Sequence, residues 1–179
     1  MLPIDLSPAA AVRDPVFSPD GRRIAFAADR GDGFDLFIVD AKGGAPRQLA
    51  MMAGDERWPS WTRDGRLVFA HRDGGPLTAW DLYIVQALES DTGRSAASPN
   101  SPGGGSAPVR LTDSADDEFQ PRASPDGERI AFMATRDSDD LDVDLWVMAT
   151  PPAGETKTRR PVRILSARGF DGCPYSQLR

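Results

Sequence analysis

The sequence predicts an all-β fold, a partial β-propeller whose four-stranded antiparallel blades are stacked radially. Three observations support this prediction. A Pro-Asp-Gly type turn between two apolar runs occurs three times, and each copy is followed by an Asp-Leu-aromatic segment and a short arm with a basic residue and leucine. The 17 glycines and 16 prolines interrupt the chain too often for long helices. Repeats of about 40 to 50 residues with this content are typical of propellers.

The turn marks the start of each repeat. Its three copies read DPVFSPDGRRIAF at 14–26, WPSWTRDGRLVF at 58–69 and QPRASPDGERIAF at 120–132. Proline fits the second position of a type I turn, and glycine supplies the positive φ that closes the hairpin. In the second copy Arg63 replaces the proline, and one residue fewer separates the turn glycine from the following phenylalanine. Because a one-residue slip would reverse the facing of every side chain, we expect a tighter turn there.

Each repeat contains four predicted strands. Strand one runs from the proline to the turn, and strand two is RRIAFAA and its equivalents. Strand three is the Asp-Leu-aromatic segment, at 34–40, 80–86 and 143–149, and strand four is the basic arm, at 46–49, 109–112 and 162–165. Strand two is apolar on both faces. Each sheet must therefore be covered on both faces, which radial stacking achieves.

The repeats divide residues 1–179 as a single partial propeller. We predict blade 1 at 13–50, blade 2 at 56–112 and blade 3 at 118–166, with a strand of the closing blade at 2–7 and the start of a fourth blade at 169–179. Residues 88–108, rich in Ser, Gly and Pro, are predicted to be a flexible insertion in blade 2. Three blades leave apolar faces and edges open, so we expect self-association through them.

Composition excludes several classes of function. The net charge is −6, and the basic residues are scattered, which argues against nucleic-acid binding. No apolar run reaches membrane-spanning length, and the N-terminus, MLPIDLSPAAAVRDPVF, does not resemble a signal peptide. Taken as written, the chain would be cytoplasmic unless it is exported. The single cysteine, Cys173, excludes a disulfide scaffold.

Residues suited to catalysis are few. The one histidine, His71, follows strand two of the second repeat, and we expect it in a loop or at the surface. No GxSxG elbow or HExxH helix is present, so we predict no catalytic, cofactor or metal site and no enzyme activity. The acidic run RDSDDLDVDLW at 136–146 offers Asp140, Asp142 and Asp144 to calcium. It lacks the glycine and terminal glutamate of an EF-hand loop, which favours a solvated hairpin tip and leaves calcium binding at 137–144 an open alternative.

Four carboxylates precede the predicted first strands: Asp14, Glu56, Glu118 and Asp171. The first strand of a propeller blade is innermost, so we expect these residues to ring one mouth of the channel and to attract a cationic protein or peptide partner. The alternative is that they pair with neighbours such as Arg13, Arg57 and Arg122 and tie adjacent sheets together. Both interpretations remain open at this point.

The repeat SPDGRRIAF with DLFIVD and PRQL resembles the WD-like repeat of the TolB-like β-propeller family. The resemblance implies a non-catalytic propeller that binds a protein or peptide at one end of its channel, in the periplasm of the bacterial cell envelope. A rival resemblance is the N-terminal propeller of a prolyl oligopeptidase-like serine hydrolase whose catalytic domain is absent. Neither resemblance implies a cofactor.

Overall fold

A computed structural model describes residues 11–49, 52–75, 78–87, 107–135, 143–155 and 160–165. These residues form three four-stranded sheets, each made of four consecutive antiparallel strands, which confirms the predicted partial propeller. Sheet 1 contains β1 (Ala11–Phe17), β2 (Arg23–Asp29), β3 (Phe34–Asp40) and β4 (Arg47–Gln48). Sheet 2 contains β5 (Asp55–Trp61), β6 (Arg66–Arg72), β7 (Asp81–Gln86) and β8 (Val109–Arg110). Sheet 3 contains β9 (Glu118–Ala123), β10 (Arg129–Thr135), β11 (Val143–Ala149) and β12 (Val162–Leu165).

The repeated turns join the first two strands of each sheet. In sheet 1 the Ser18 N–H donates to the Arg23 carbonyl, and in sheet 2 the Thr62 N–H donates to the Arg66 carbonyl, both at 2.9 Å. The second turn is therefore one residue shorter, and the strands after it keep their facing, as predicted. Gly21 and Gly65 take the positive φ values of 69° and 81° that these turns require.

The first strands begin earlier than the sequence suggested. We expected strand one to start at the proline, but β1 starts at Ala11, four residues before Pro15, and carries a bulge between Arg13 and Val16. The residue before each repeat proline has a positive φ, which is rare for residues other than glycine: Asp14 (56°), Trp58 (54°) and Gln120 (51°). A bulge redirects the side chains around it, so this position presents its side chain differently from the rest of the strand.

The sheets stack with their first strands side by side. β1 contacts β5 and β5 contacts β9, so the first strand is innermost, as in a propeller. The leading face of a sheet is defined as the one turned toward the next sheet along the chain. Apolar side chains of the leading face of sheet 1 pack against Leu67, Phe69 and Val85 of sheet 2. The leading face of sheet 2 packs in the same way against Ile130, Phe132 and Met148 of sheet 3.

The leading face of sheet 3 is more exposed than its two equivalents. Leu36 and Leu82 are fully buried, whereas Leu145 at the matching position is 38% exposed. Val162, Ile164 and Leu165 of β12, the strand that pairs with β11, are also exposed apolar side chains.

The two edges of each sheet differ. One edge, the turn edge, carries the repeated turns at 18–21, 62–65 and 124–127. The other, the connector edge, carries the segments that lead from one sheet to the next. The predicted strands at 2–7 and 169–179 and most of the insertion at 88–108 lie outside the described residues, so these domain boundaries stay predictions. Within the described ranges, no helix is long and apolar enough to cross a membrane.

Candidate functional site

Aromatic and arginine side chains are concentrated at the connector edge. Trp58 packs against Trp80, with ring centroids 4.9 Å apart, and against Phe119 at 5.9 Å. The Arg57 guanidinium lies over the Phe34 ring at 4.7 Å and over Trp58 at 5.0 Å. We call the half-buried set Phe34, Arg57, Trp58, Arg72, Trp80 and Phe119 the aromatic–arginine strip. Its members come from all three sheets, so the strip exists only when the sheets are stacked.

Asp14 joins the strip to sheet 1. Its carboxylate accepts a hydrogen bond from the Arg57 Nε at 2.8 Å and one from the Trp58 backbone N–H at 3.3 Å. Both side chains of the ion pair are about four-fifths buried, with 23% of Asp14 and 18% of Arg57 exposed. The pair fixes the Arg57 guanidinium between two aromatic rings. Asp14 therefore has the inter-sheet role that was the alternative interpretation of these carboxylates.

Glu56 and Glu118 do not lie at an open channel mouth, which corrects that expectation. Each sits at the start of its inner strand, three residues before the repeat proline, and is at most 1% exposed. Glu56 Oε2 accepts a hydrogen bond from the Leu36 N–H of sheet 1 at 3.3 Å. Both strands begin before the proline, which places these carboxylates inside the stack. Asp14 occupies the bulge position instead, so it is not their structural equivalent, and Asp171 lies outside the described residues.

His71 is buried at the end of β6, which corrects its assignment to a loop or the surface. Its Nδ1 lies 3.7 Å from Glu56 Oε1, and its Nε2 lies 3.1 Å from Asp73 Oδ1. Burial lowers the pKa of His71, but the two carboxylates outweigh it and raise the pKa above its ordinary value. Burial raises the pKa of Glu56 despite the opposing effect of His71. The imidazole therefore lies between two carboxylates at the interface of sheets 1 and 2, and their charges favour its protonated form.

The repeat aspartate of strand three has a different partner in each sheet. Asp81 accepts a hydrogen bond from Arg110 at 2.6 Å, and Asp144 accepts one from Arg163 at 3.2 Å. Both arginines belong to the fourth strand of their sheet. There Arg110 pairs with Tyr83 of the third strand, and Arg163 pairs with Trp146 of the third strand. The equivalent residue in sheet 1, opposite Phe37, is Gln48. The basic residue that the sequence aligned with these arginines, Arg47, instead donates to the Ala87 carbonyl of sheet 2 at 3.3 Å.

In sheet 1 the residue beside Asp35 at this position is Gln48, and the pKa of Asp35 is raised. Burial, followed by the nearby charges of Glu56 and Asp32, raises the pKa of Asp35 to about 6. Arg30 and the hydrogen bond from Gln48 oppose the rise but do not cancel it. Burial also raises the pKa of Asp81, although Arg110 opposes it.

Two cavities open at the connector edge, one beside each of these aspartates. The cavity at Asp35 has a volume of about 510 Å³ and is lined by Arg30, Gly31, Asp32, Asp35, Gln48 and Met52. The cavity at Asp81 has a volume of about 300 Å³, and its walls include His71, Asp73, Tyr83 and Arg110. Both are small and polar. They are suited to a single side chain or a small charged group and not to a large apolar ligand.

The described residues contain no cluster of three or more His, Cys, Asp or Glu side chains that could hold a metal ion. Asp144, the last candidate calcium ligand of the acidic run, is buried and paired with Arg163. Asp140, Asp142 and Cys173 lie outside the described residues, so calcium binding by the rest of the run stays a prediction.

Sequence reasoning did not identify the aromatic–arginine strip. Its members lie at different positions of the repeat, because Trp58 precedes the proline while Phe34 and Trp80 precede the Asp-Leu pair. The available signal was that an aromatic precedes Asp-Leu in two of three copies, in FDL and WDL. Asp55 and Asp117 fix these aromatics, accepting from the N–H groups of Phe34 and Trp80, respectively, each at 3.1 Å.

Comparison with known proteins gives both sequence and structural relatives. An uncharacterized protein of Agrobacterium fabrum is 26% identical over 139 residues, which is 74% of this chain and 41% of that protein. The uncharacterized peptidase YuxL of Bacillus subtilis is 41% identical over 56 residues, or 31% of this chain and 8% of the peptidase. The chain thus spans less than half the length of either relative.

Solved structures share the fold at low sequence identity. TolB from Acinetobacter baumannii superposes with a TM-score of 0.58 and 20% identity, over 87% of this chain and 33% of that one. Prolyl oligopeptidase B from Galerina marginata superposes with a TM-score of 0.56 and 14% identity, over 89% of this chain and 23% of the enzyme. Residues 5–171 match the β-propeller domain of the lipoprotein LpqB. The chain therefore belongs to the LpqB β-propeller domain family, as a partial TolB-like propeller.

Proposed function

We propose that this chain is a non-catalytic scaffold of the bacterial envelope that binds a protein or peptide partner at its connector edge. The observation that carries the proposal is the aromatic–arginine strip, in which four aromatic rings and two arginines stay half-buried at one edge. Tryptophan and arginine dominate the binding energy of protein interfaces when they are held in place before binding. The Asp14–Arg57 pair and the contacts with Asp55 and Asp117 hold this strip.

The strip favours a peptide over a small metabolite. It crosses three sheets, so a ligand must extend along it to contact several rings. Alternating aromatic and guanidinium groups offer surfaces for stacking and for carbonyl or carboxylate acceptors of a peptide. An envelope location is supported by the lipoprotein that gives the family its description.

Peptide binding can be tested by selection on the isolated chain. A random displayed peptide library would be enriched on the immobilised chain, and the selected peptide titrated by calorimetry into the variants. We expect Trp80→Ala to weaken binding at least about tenfold, as for an interface hot spot. The matched control is Phe17→Ala, because Phe17 is 62% exposed at the turn edge. Binding that is unchanged in Trp80→Ala, or lost equally in Phe17→Ala, would contradict the proposal. So would the absence of any enriched peptide.

A gating propeller of a serine hydrolase is the second candidate, supported by the match to the peptidase YuxL. In either case we propose that the described residues perform no hydrolysis, since their one histidine is bound between two carboxylates and has no serine partner. A fluorogenic proline-containing peptide should therefore stay intact with this chain. Turnover that follows the purified chain through chromatography would contradict a non-catalytic scaffold.

We also propose that a second copy of the chain covers the leading face of sheet 3. The leading faces of sheets 1 and 2 are each covered by a neighbouring sheet, whereas Leu145 on that of sheet 3 is 38% exposed. The exposed faces of two copies would pack about a two-fold axis. Leu145→Asp should then abolish the dimer seen by light scattering, whereas Phe17→Asp at the turn edge should preserve it. A wild-type chain that is monomeric at every concentration would exclude this interface.

A further inference from the structure

Because the three sheets repeat one pattern, the site beside Asp35 can be compared with the equivalent sites in sheets 2 and 3. In sheets 2 and 3 the strand-three aspartate binds an arginine guanidinium from the fourth strand, through Asp81 with Arg110 and Asp144 with Arg163. The backbone register is the same in sheet 1, where Gln48 lies opposite Phe37 as Arg110 lies opposite Tyr83. Sheet 1 therefore has the aspartate, Asp35, and the same pairing of the third and fourth strands, but it has Gln48 where the other two sheets have an arginine.

The space for that cation is present. The cavity of about 510 Å³ at Asp35 is larger than the cavity of about 300 Å³ at Asp81, where Arg110 is one of the walls. Asp32 also lines this cavity and adds a second carboxylate. The charge of Glu56 also acts on Asp35 from the interface with sheet 2.

One cation already lies in this cavity but is engaged elsewhere. The Arg30 guanidinium stacks over the Phe37 ring, with its central carbon 4.4 Å from the ring centroid. Its charge lowers the pKa of Asp35, yet the balance with burial, Glu56 and Asp32 still leaves that pKa raised. The site therefore remains electrostatically suited to a second cation.

We propose that the cavity beside Asp35 binds the guanidinium of an arginine side chain supplied by a partner protein, in the place that Arg110 and Arg163 occupy in the other two sheets. A planar guanidinium matches the two oxygens of the Asp35 carboxylate better than a compact ammonium does. This site is distinct from the aromatic–arginine strip. It holds one side chain, whereas the strip is proposed to hold an extended peptide.

The test uses a single capped residue, which is too small to occupy the strip. Nα-acetyl-arginine methylamide is titrated into the ¹⁵N-labelled chain, with the isosteric, uncharged citrulline compound as the ligand control. We expect saturable shifts of the backbone signals of Gly31 and Gln48 with the arginine compound and none with the citrulline compound. Equal shifts with both compounds, or no shifts with either, would overturn the proposal.

Three variants sharpen the result. Asp35→Asn should weaken binding of the arginine compound at least about tenfold, because a charge-assisted hydrogen bond is lost. Gln48→Arg should abolish binding by filling the site from within, and its melting temperature should not fall, which shows that the fold persists. Asp40→Asn, on the same strand but exposed at the turn edge, should bind as the wild type does. Unchanged binding in Gln48→Arg would contradict the assigned position.

Discussion

The interface between sheets 1 and 2 and the interface between sheets 2 and 3 have the same geometry but use different chemistry. A buried glutamate opens the inner strand in both, Glu56 in the first and Glu118 in the second. At the matching position of the second strand, the first interface has His71 and the second has Ala134. Ser114 donates to Glu118 at 3.1 Å, where Glu56 faces an imidazole. The blade stack thus tolerates an ionic or an uncharged partner for the same carboxylate.

Removing the imidazole should have the largest effect. We expect His71→Ala to lower the free energy of unfolding by about 3 to 5 kcal/mol, because it leaves the Glu56 carboxylate buried beside a cavity. Chemical denaturation followed by tryptophan fluorescence measures the loss. The double variant Glu56→Gln with His71→Ala is the control and should recover part of it. A loss below about 1 kcal/mol in the single variant would mean that the pair contributes little to the interface.

A substitution in sheet 2 should reproduce the situation of sheet 1. Arg110→Gln leaves Asp81, whose side chain is 12% exposed, without its cation. We expect a loss of about 2 kcal/mol, as for a hydrogen bond between charged groups. Arg129→Gln, at an exposed position of the turn edge, should change stability by less than about 0.5 kcal/mol. Equal losses in the two variants would show that the Asp81–Arg110 pair contributes no more to stability than an exposed arginine does.

The His71 cluster also predicts a pH dependence. The folded-state pKa of His71 is raised above 6.5, so its stabilising contribution is complete below pH 6.5 and is lost as the pH rises through the folded-state pKa. We expect a decline of about 1 kcal/mol in the wild type for each unit by which the pKa is raised. His71→Ala should lack this decline. A wild-type stability that rises over the same alkaline range would contradict a cationic His71.

The smallest effect is expected at Asp35. Its pKa is raised to about 6, so the charged form destabilises the fold above pH 6, and the penalty disappears below about pH 4. Asp35→Asn should therefore stabilise the protein at neutral pH by less than about 1 kcal/mol, since solvent screens a half-exposed carboxylate. Thermal melts at pH 4 and pH 7 measure the difference, with Asp40→Asn as the control. Destabilisation at pH 7 would mean that the Asp35 charge is compensated.

The sequence predicted the parts of the fold that depend on local patterns. Turn residues and apolar alternation identified the hairpins, and the missing residue near Arg63 predicted the shorter turn that is observed. The fourth strands were aligned wrongly in sheet 1, since Arg47 was matched with Arg110 and the structure matches Gln48. A two-residue strand has too short a pattern to fix its own register, which is set by pairing with strand three.

The candidate site was predicted less well because it depends on contacts between repeats. We expected strand one to begin at the proline, which would leave Glu56 and Glu118 before the strand at an open channel mouth. The strands begin earlier, and the structure buries both carboxylates. Asp14 and Trp58, at the bulges of β1 and β5, have positive φ although neither is a glycine. The conformational preferences of these residue types do not predict such a backbone. The pairing of His71 with Glu56 required knowing which strand ends meet at the connector edge.

The central claim is that a peptide partner binds at the connector edge, and the four tryptophan indoles of the chain report on it directly. Trp58 and Trp80 belong to the strip, whereas Trp61 is 8% exposed and its indole donates to the Val16 carbonyl within the stack. In a ¹H–¹⁵N spectrum titrated with a selected peptide, we predict shifts of the Trp58 and Trp80 indole signals and a constant Trp61 signal. Shifts confined to Trp146 of sheet 3, or unchanged Trp58 and Trp80 signals at saturation, would contradict the claim.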